Sequence, residues 1–188
     1  GFHPEYEATL DVWDEQLVRF GKEVIKARRA FIDQLGDIIK ELHTKLSGGK
    51  ENIEVIYDPD TEEEELEAAV RKSRQQDMKQ KTTLAGPHRD DISFVVNGID
   101  IRRFGSQGQQ RTSALSLKLA ELYVIYDEIG EYPILLLDDF MSELDEKRRK
   151  SFLSYIKDTQ VIITCTDKME LDNIKLFNVI NGEICKII

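Results

Sequence analysis

Apolar side chains in the first quarter of the chain recur at alternating steps of three and four. Leu10, Trp13, Leu17, Phe20, Val24, Ala27 and Phe31 form this line, which is the seam of a coiled-coil helix. The line continues through Leu35, Ile38, Leu42 and Leu46 with extra steps of four, a stutter that locally unwinds a supercoil. Residues 5–46 contain no proline. One long helix is expected there, with Gly21 and Gly36 as places where it bends or breaks. The pattern then shortens. Ile53 to Tyr57 reads as a strand and Asp58-Pro59-Asp60-Thr61 as a turn. Thr61 is the expected cap of a second helix that opens with Glu62 to Glu65 and runs to about Gln80. Thr82 to Leu84 reads as a short strand. Ile92 to Val96 and Ile99 to Ile101 flank Asn97-Gly98, the strongest short hairpin signal.

The second half alternates helix and strand. Leu115, Leu117, Leu119, Leu122, Tyr123 and Tyr126 give apolar coverage to a helix that follows the Phe104 to Arg111 stretch. Ile134 to Leu137 is a short run, apolar on both faces, that ends in Asp138 and Asp139 and is closed by Ser142-Glu143-Leu144-Asp145. Such a run reads as a strand buried in a parallel sheet. A helix over 146–157 leads to a second buried strand, Gln160 to Thr164, with the polar tip Cys165-Thr166-Asp167. Leu176 to Ile180 and Ile184 to Ile188 form a closing hairpin around Asn181-Gly182. The fold class is therefore α/β.

The 188 residues suffice for one ordinary domain or two small ones. Charged residues make up 33% and hydrophobic residues 40%, which suits long solvated helices beside a modest core. A net charge of −10 argues against a whole-surface nucleic-acid binder and leaves room for local basic patches. One such run is Arg19, Lys22, Lys26, Arg28 and Arg29, which reads as a solvated helix face. A second is Arg71, Lys72, Arg74, Lys79 and Lys81 against only Asp77, a candidate surface for a phosphate backbone. Cys165 and Cys185 lie in apolar surroundings without CxxC spacing and read as reduced core residues of a cytosolic protein. No apolar run is long enough for a membrane span, and no signal peptide is visible.

Three stretches carry chemistry. Two carboxylates at the carboxyl end of a parallel strand emerge where open α/β sheets place their ligands. Beside an apolar core they need a cation or hydrogen bonds, so Asp138 and Asp139 read as magnesium-side groups of a nucleotide site or as an acidic turn. Phe104-Gly105-Ser106-Gln107-Gly108-Gln109-Gln110-Arg111 places a serine and bare glycine backbone at a helix start. That is an anion site, or simply a capped helix. Gly86-Pro87-His88-Arg89-Asp90-Asp91 packs an imidazole, a guanidinium and two carboxylates into one corner, more than an ordinary turn needs.

The order of these stretches resembles the carboxyl-terminal part of an ABC/SMC-like P-loop ATPase head with an α-helical arm. Ser106, Gln107, Gly108 and Gln109 resemble the signature, which binds ATP in trans. Asp138 resembles the Walker B aspartate, and Ser142 to Asp145 resemble the D-loop. Leu46-Ser47-Gly48-Gly49-Lys50 is signature-like in letters only, because it closes a helix. The wording of Gly86 to Asp91, Gly105 to Arg111 and Leu135 to Asp139, with Trp13 to Leu17 and Leu46 to Glu51, closely resembles the RecF family over essentially the whole chain. The resemblance implies an arm over 1–81 and a head portion over 82–188. It implies an ATP-dependent homodimer that binds DNA at single-strand/double-strand junctions and works with RecO and RecR in recombinational repair of gaps. It places such a protein in the cytoplasm, associated with the nucleoid. ATP and Mg²⁺ are the implied cofactors. The implied roles are Asp138 on Mg²⁺ through water, Asp139 on the attacking water, and Ser106 and Gly108 on the γ-phosphate of the other subunit. Ser142 and Asp145 belong to the D-loop, Thr166 holds the switch position, and Arg71, Lys72, Arg74 and Lys79 are the DNA-facing candidates.

The sequence departs from a complete ATPase. No Gly-x-x-x-x-Gly-Lys-Ser/Thr is present, and the Q-loop is missing. Asp139 stands where many ABC proteins carry glutamate, and Thr166 where many carry histidine. The chain, which begins Gly1-Phe2-His3, thus reads as the half of a RecF-type protein from the arm onward, inactive by itself. The rival readings are a non-catalytic helical partner-binding module and a two-aspartate metal phosphatase. The second leaves the Ser106 stretch unexplained.

Overall fold

One helix, α1 (Pro4–Ser47), runs without interruption along the molecule and carries the rest. The computed structural model describes residues 4–139, 144–157, 159–166 and 174–187. Neither Gly21 nor Gly36 breaks α1. Gly21 is instead a point of close approach: a Cβ there would lie 2.7 Å from Leu66 Cδ2. The buried line of the helix passes through Ile25, Ile32, Leu35, Ile39, Leu42 and Leu46. The amino-terminal part of the expected seam faces elsewhere, with Trp13, Phe20, Val24 and Phe31 all exposed. α1 ends at Gly48 and Gly49, both with positive φ, and Gly49 N–H donates to Thr44 O at 2.7 Å. The Leu46 to Lys50 segment is thus helix-capping chemistry.

β1 (Ile53–Asp58) alternates buried and exposed positions and packs on α1. It pairs antiparallel with β2 (Asp91–Val96), so one sheet joins the two sides of the division expected near residue 81. β2 turns through Asn97 and Gly98, both at positive φ, into β3 (Ile99–Asp100). α2 (Leu66–Gln80) begins later than expected. Thr61 does not cap it, because its hydroxyl donates to Asp60, and Glu62 is drawn into an ion pair with Arg29. Thr82 to Leu84 form no strand either. Lys81 takes a left-handed conformation, and the amides of Thr82 and Leu84 turn back onto Asp77. Those donors are therefore unavailable to a ladder.

A one-turn helix, α3 (Ile101–Phe104), precedes α4 (Gln107–Ile129), which packs against α1. β4 (Leu135–Asp138) and β5 (Val161–Thr164) pair in parallel, with α5 (Glu146–Tyr155) between them in sequence. Their burial is one-sided: Leu137 is buried, whereas Leu136 and Ile162 are 69% and 54% exposed. Parallel strands ordinarily have both faces covered. β6 (Leu176–Ile180) and β7 (Glu183–Ile187) form the expected hairpin around Asn181-Gly182. Cys165 and Cys185 are exposed, not core residues, because one follows the end of β5 and the other lies in a two-stranded hairpin whose described side chains are mostly exposed.

Candidate functional site

The first turn of α4 is built by reciprocal capping. Ser106 is the N-cap, and its Oγ accepts from Gln109 N–H at 3.2 Å. The Gln109 side chain accepts from Ser106 N–H at 3.0 Å. This is the reciprocal arrangement that fixes a helix start. It occupies the Ser106 hydroxyl as an acceptor and leaves its proton to be donated outward. The amides of Gln107 and Gly108 fall at the first helical positions, where no intrahelical partner exists. Gly105 makes the approach to this turn feasible. A Cβ there would lie 2.6 Å from the Ile101 carbonyl oxygen, which already accepts from Gly105 N–H and from Gln110 Nε2.

At the carboxyl end of β4, Asp138 sits in register with Thr164 of β5. The Thr164 hydroxyl donates to Asp138 Oδ1 and accepts from Asp139 N–H at 3.0 Å. One threonine therefore positions both acidic residues. Sequence reading assigned it only to a strand end. Its signal was the register, a polar residue closing each of two adjacent parallel strands. Asp139 takes a left-handed backbone with φ 48°, which turns its side chain direction away from the strand alternation of Asp138.

Asp145 caps α5, accepting from Arg148 N–H at 2.8 Å. The Arg148 amide and guanidinium hold the Asp145 carboxyl below its usual range. Thr166 is exposed beyond β5. Ser142 lies outside the described residues. The basic candidates are only partly available. Arg74 is engaged with Asp11 and Asp14, and Arg71 with Glu67, while Lys72 and Lys79 are exposed. On α1, Arg19, Lys26, Arg28 and Arg29 of the run expected to be solvated are exposed, and two of them are also tied into the fold: Arg28 pairs with Asp90, and Arg29 with Glu62.

The corner at Gly86 to Asp91 is explained by these ties. Pro87–Arg89 form a single 3₁₀ turn. The Asp90 side chain, 3% exposed, accepts from Arg28 at 2.8 Å, from Asp60 N–H at 3.1 Å and from Tyr57 OH. Burial, followed by the hydrogen bond to Asp90, pushes the Tyr57 phenol up to about 12. This carboxylate ties α1, β1 and the turn together.

No family model matches the chain. It is 48% identical over 181 residues to the DNA replication and repair protein RecF of Lachnospira eligens, covering 94% of this chain and 50% of that protein. Its identity to the RecF protein of Agathobacter rectalis is 45% over 190 residues, 97% of this chain and 52% of that one. Among solved structures, the recombination mediator protein RecF with ATPrS matches with a TM-score of 0.83 at 37% identity, over 97% of this chain and 51% of that one. The chain belongs to the RecF family. It spans about half the length of the curated relatives it matches, the carboxyl-terminal half. No helix among the described residues is long and apolar enough to cross a membrane.

The donor set fits a magnesium nucleotide. Among the described residues no three acidic, histidine or cysteine side chains gather into a cage. Mg²⁺ on a nucleotide keeps several waters and takes one or two carboxylates plus phosphate oxygens, and Asp138 retains acceptor capacity beyond its bond to Thr164.

Proposed function

We propose that this chain supplies the signature and Walker B portion of a RecF-type ATPase acting in DNA replication and repair. The observation that carries the reading is the Ser106 turn: its hydroxyl is locked as an acceptor from Gln109, so its proton and the Gln107 and Gly108 amides point beyond the helix. This is a cradle for phosphate oxygens. It belongs to the γ-phosphate of ATP held by a second copy of the full-length protein, so ATP joins two subunits. Support comes from the similarity to a RecF structure described as bound to ATP.

Phosphoryl transfer mainly requires positioning and charge stabilisation. Asp138, oriented by Thr164, would hold Mg²⁺. Asp139 orients the attacking water, and Thr166 stands near the γ-phosphate. Ser142 and Asp145 of the D-loop couple the two sites. The metal, when bound, neutralises developing charge on the phosphates. Residues 1–81 act as the arm and 82–188 as this part of the head. DNA at a single-strand/double-strand junction meets the basic side of α2, chiefly Lys72 and Lys79, with Arg71 and Arg74 beside them. RecO and RecR are the partners, and the protein works in the cytoplasm on the nucleoid. The open faces of β4 and β5 at Leu136 and Ile162 mark where the amino-terminal half, with the phosphate loop, completes the head.

The trans assignment is tested in the full-length protein with Ser106→Arg. ATP-driven dimerisation, followed by light scattering, should be lost while ATP binding to the monomer persists. Loss of all nucleotide binding by the monomer would refute a signature acting in trans.

A further inference from the structure

The polar groups buried between α1, α4 and α5 are not explained by packing alone. Thr112, Ser116 and His43 are fully buried. Thr112 Oγ1 donates to Gly108 O at 2.8 Å and accepts from Arg148 Nε at 2.9 Å. Arg148 Nη1 is ion-paired with Asp145. A Cβ at Gly108 would lie 3.6 Å from Arg148 Nη2, so the guanidinium stands against the signature turn. One turn further along α4, Ser116 Oγ donates to Thr112 O at 2.8 Å and meets His43 Nδ1 at 3.1 Å. His43 Nε2 in turn faces Glu51 at 3.2 Å. These contacts form one connected line from the D-loop aspartate, through the first three turns of α4, to the base of the arm helix.

Apolar side chains would hold these helices together without fixing how α4 is rotated about its axis. Directional hydrogen bonds do fix it, and the planar guanidinium fork fixes two directions at once. Rotation of α4 by one residue would swing Ser106 by roughly 100°, away from any shared phosphate. We propose that Arg148 is the positioning residue that holds the Ser106–Gly108 turn in register with Asp145, with His43 anchoring the middle of α4, at Ser116, to the arm. This rests on the reading of Ser106 as a trans-acting ATP contact. Arg148 acts through Thr112 and Asp145.

The test uses the full-length protein and five variants: Arg148→Ala, Arg148→Lys, Thr112→Val, the double variant Arg148→Ala with Thr112→Val, and Ser106→Arg. Dimer formation with ATP, ATP binding to the monomer, and thermal melting are measured for each. Arg148→Ala should weaken ATP-driven dimerisation by about tenfold, the size expected for a charge-assisted hydrogen bond. Monomer ATP affinity should stay within about twofold. Arg148→Lys should rescue only part of the loss, because an ammonium satisfies Asp145 but not the Thr112 fork. Thr112→Val, which keeps shape and removes the hydroxyl, should weaken the dimer in the same direction and add little to Arg148→Ala. A merely structural role would instead lower melting and monomer ATP binding together, and that result overturns the proposal. If Arg148→Ala does not fold, Thr112→Val decides. Normal dimerisation of Arg148→Ala, or of Thr112→Val where that variant decides, beside a defective Ser106→Arg overturns the positioning role and leaves the ATP reading intact. Normal dimerisation of Ser106→Arg as well overturns both.

Discussion

Asp139 shows how a single dihedral angle shapes what a substitution can test. Its φ of 48° is tolerated by asparagine and strained for alanine. Asp139→Asn therefore removes the charge while keeping the backbone, whereas Asp139→Ala confounds chemistry with strain. In the full-length protein Asp139→Asn should preserve ATP-driven dimerisation and slow phosphate release by ~10²-fold, the loss expected for a general base. Asp138→Asn should fail earlier, by weakening Mg²⁺-ATP binding. Matching behaviour of the two variants in light scattering and phosphate release would end the division of roles. His43 offers a separate test through pH. Burial lowers its pKa from 6.5, Glu51 pulls it partly back up, and Arg148 adds to the lowering. The folded state thus binds fewer protons than the unfolded one at mildly acidic pH. Stability rises with pH where that is so. Its contribution is intact above 6.5 and is lost as pH falls through the window below it. Denaturation midpoints of the full-length protein between about pH 7.5 and 5.5 should fall more steeply for wild type than for His43→Gln. Equal slopes would remove His43 as the source.

At the scale of the element, the glycines separate into those that save space and those that only weaken a helix. Gly105 lies between α3 and α4, and its missing Cβ makes room for the backbone carbonyl of Ile101. Gly105→Ala should destabilise by about 1–3 kcal/mol, the range for forced overpacking, and should displace Ser106. Gly36 is different. It lies inside α1, where an added Cβ would come no nearer than 3.8 Å to Val55 Cβ. Gly36→Ala should stabilise by about 1 kcal/mol through helix propensity alone. Thermal or denaturant melts of the two variants should move in opposite directions; a shift of the same sign would show that the close approach at Gly105 is relieved cheaply. The same scale explains the second helix. Its start at Leu66 follows from Asp60 and Glu62 being committed to Thr61, Arg89 and Arg29, which leaves the first acids outside the helix.

Over the whole molecule, the parallel pair β4 and β5 carries the acidic residues on a sheet covered on one side only, with Ile134, Leu136 and Ile162 exposed. The sequence contains no phosphate loop. The chain by itself should therefore release no phosphate from ATP above background. Turnover by the purified chain that Asp139→Asn abolishes would contradict the half-site reading. The exposed Trp13, Phe20, Val24 and Phe31 belong to the same picture. The heptad line was legible, but which part of it is buried here depended on what α2 and β1 bring to α1.

What the sequence determined by itself was local and periodic. The long helix, the two Asn-Gly hairpins, the strand segments β4 and β5, and the serine-capped start of α4 each follow from spacing and turn chemistry within a few residues. What only the tertiary structure decided was set by contacts distant in sequence. Thr164 reaches Asp138 across 26 positions, His43 meets Ser116 across 73, and Arg28 finds Asp90 across 62. Each partner is an ordinary polar residue in its own neighbourhood, and its role appears only when the sheet register and the packing of α1 on α4 bring the two together. Capping by the nearby Asp77 removed the strand expected at Thr82 to Leu84, while long-range ion pairs turned Arg28 and Arg29 of α1 into ties. Periodicity selects the elements, because it is a property of neighbours; the hydrogen-bond partners of buried polar groups are selected by the assembled fold, which must satisfy them or lose their desolvation energy.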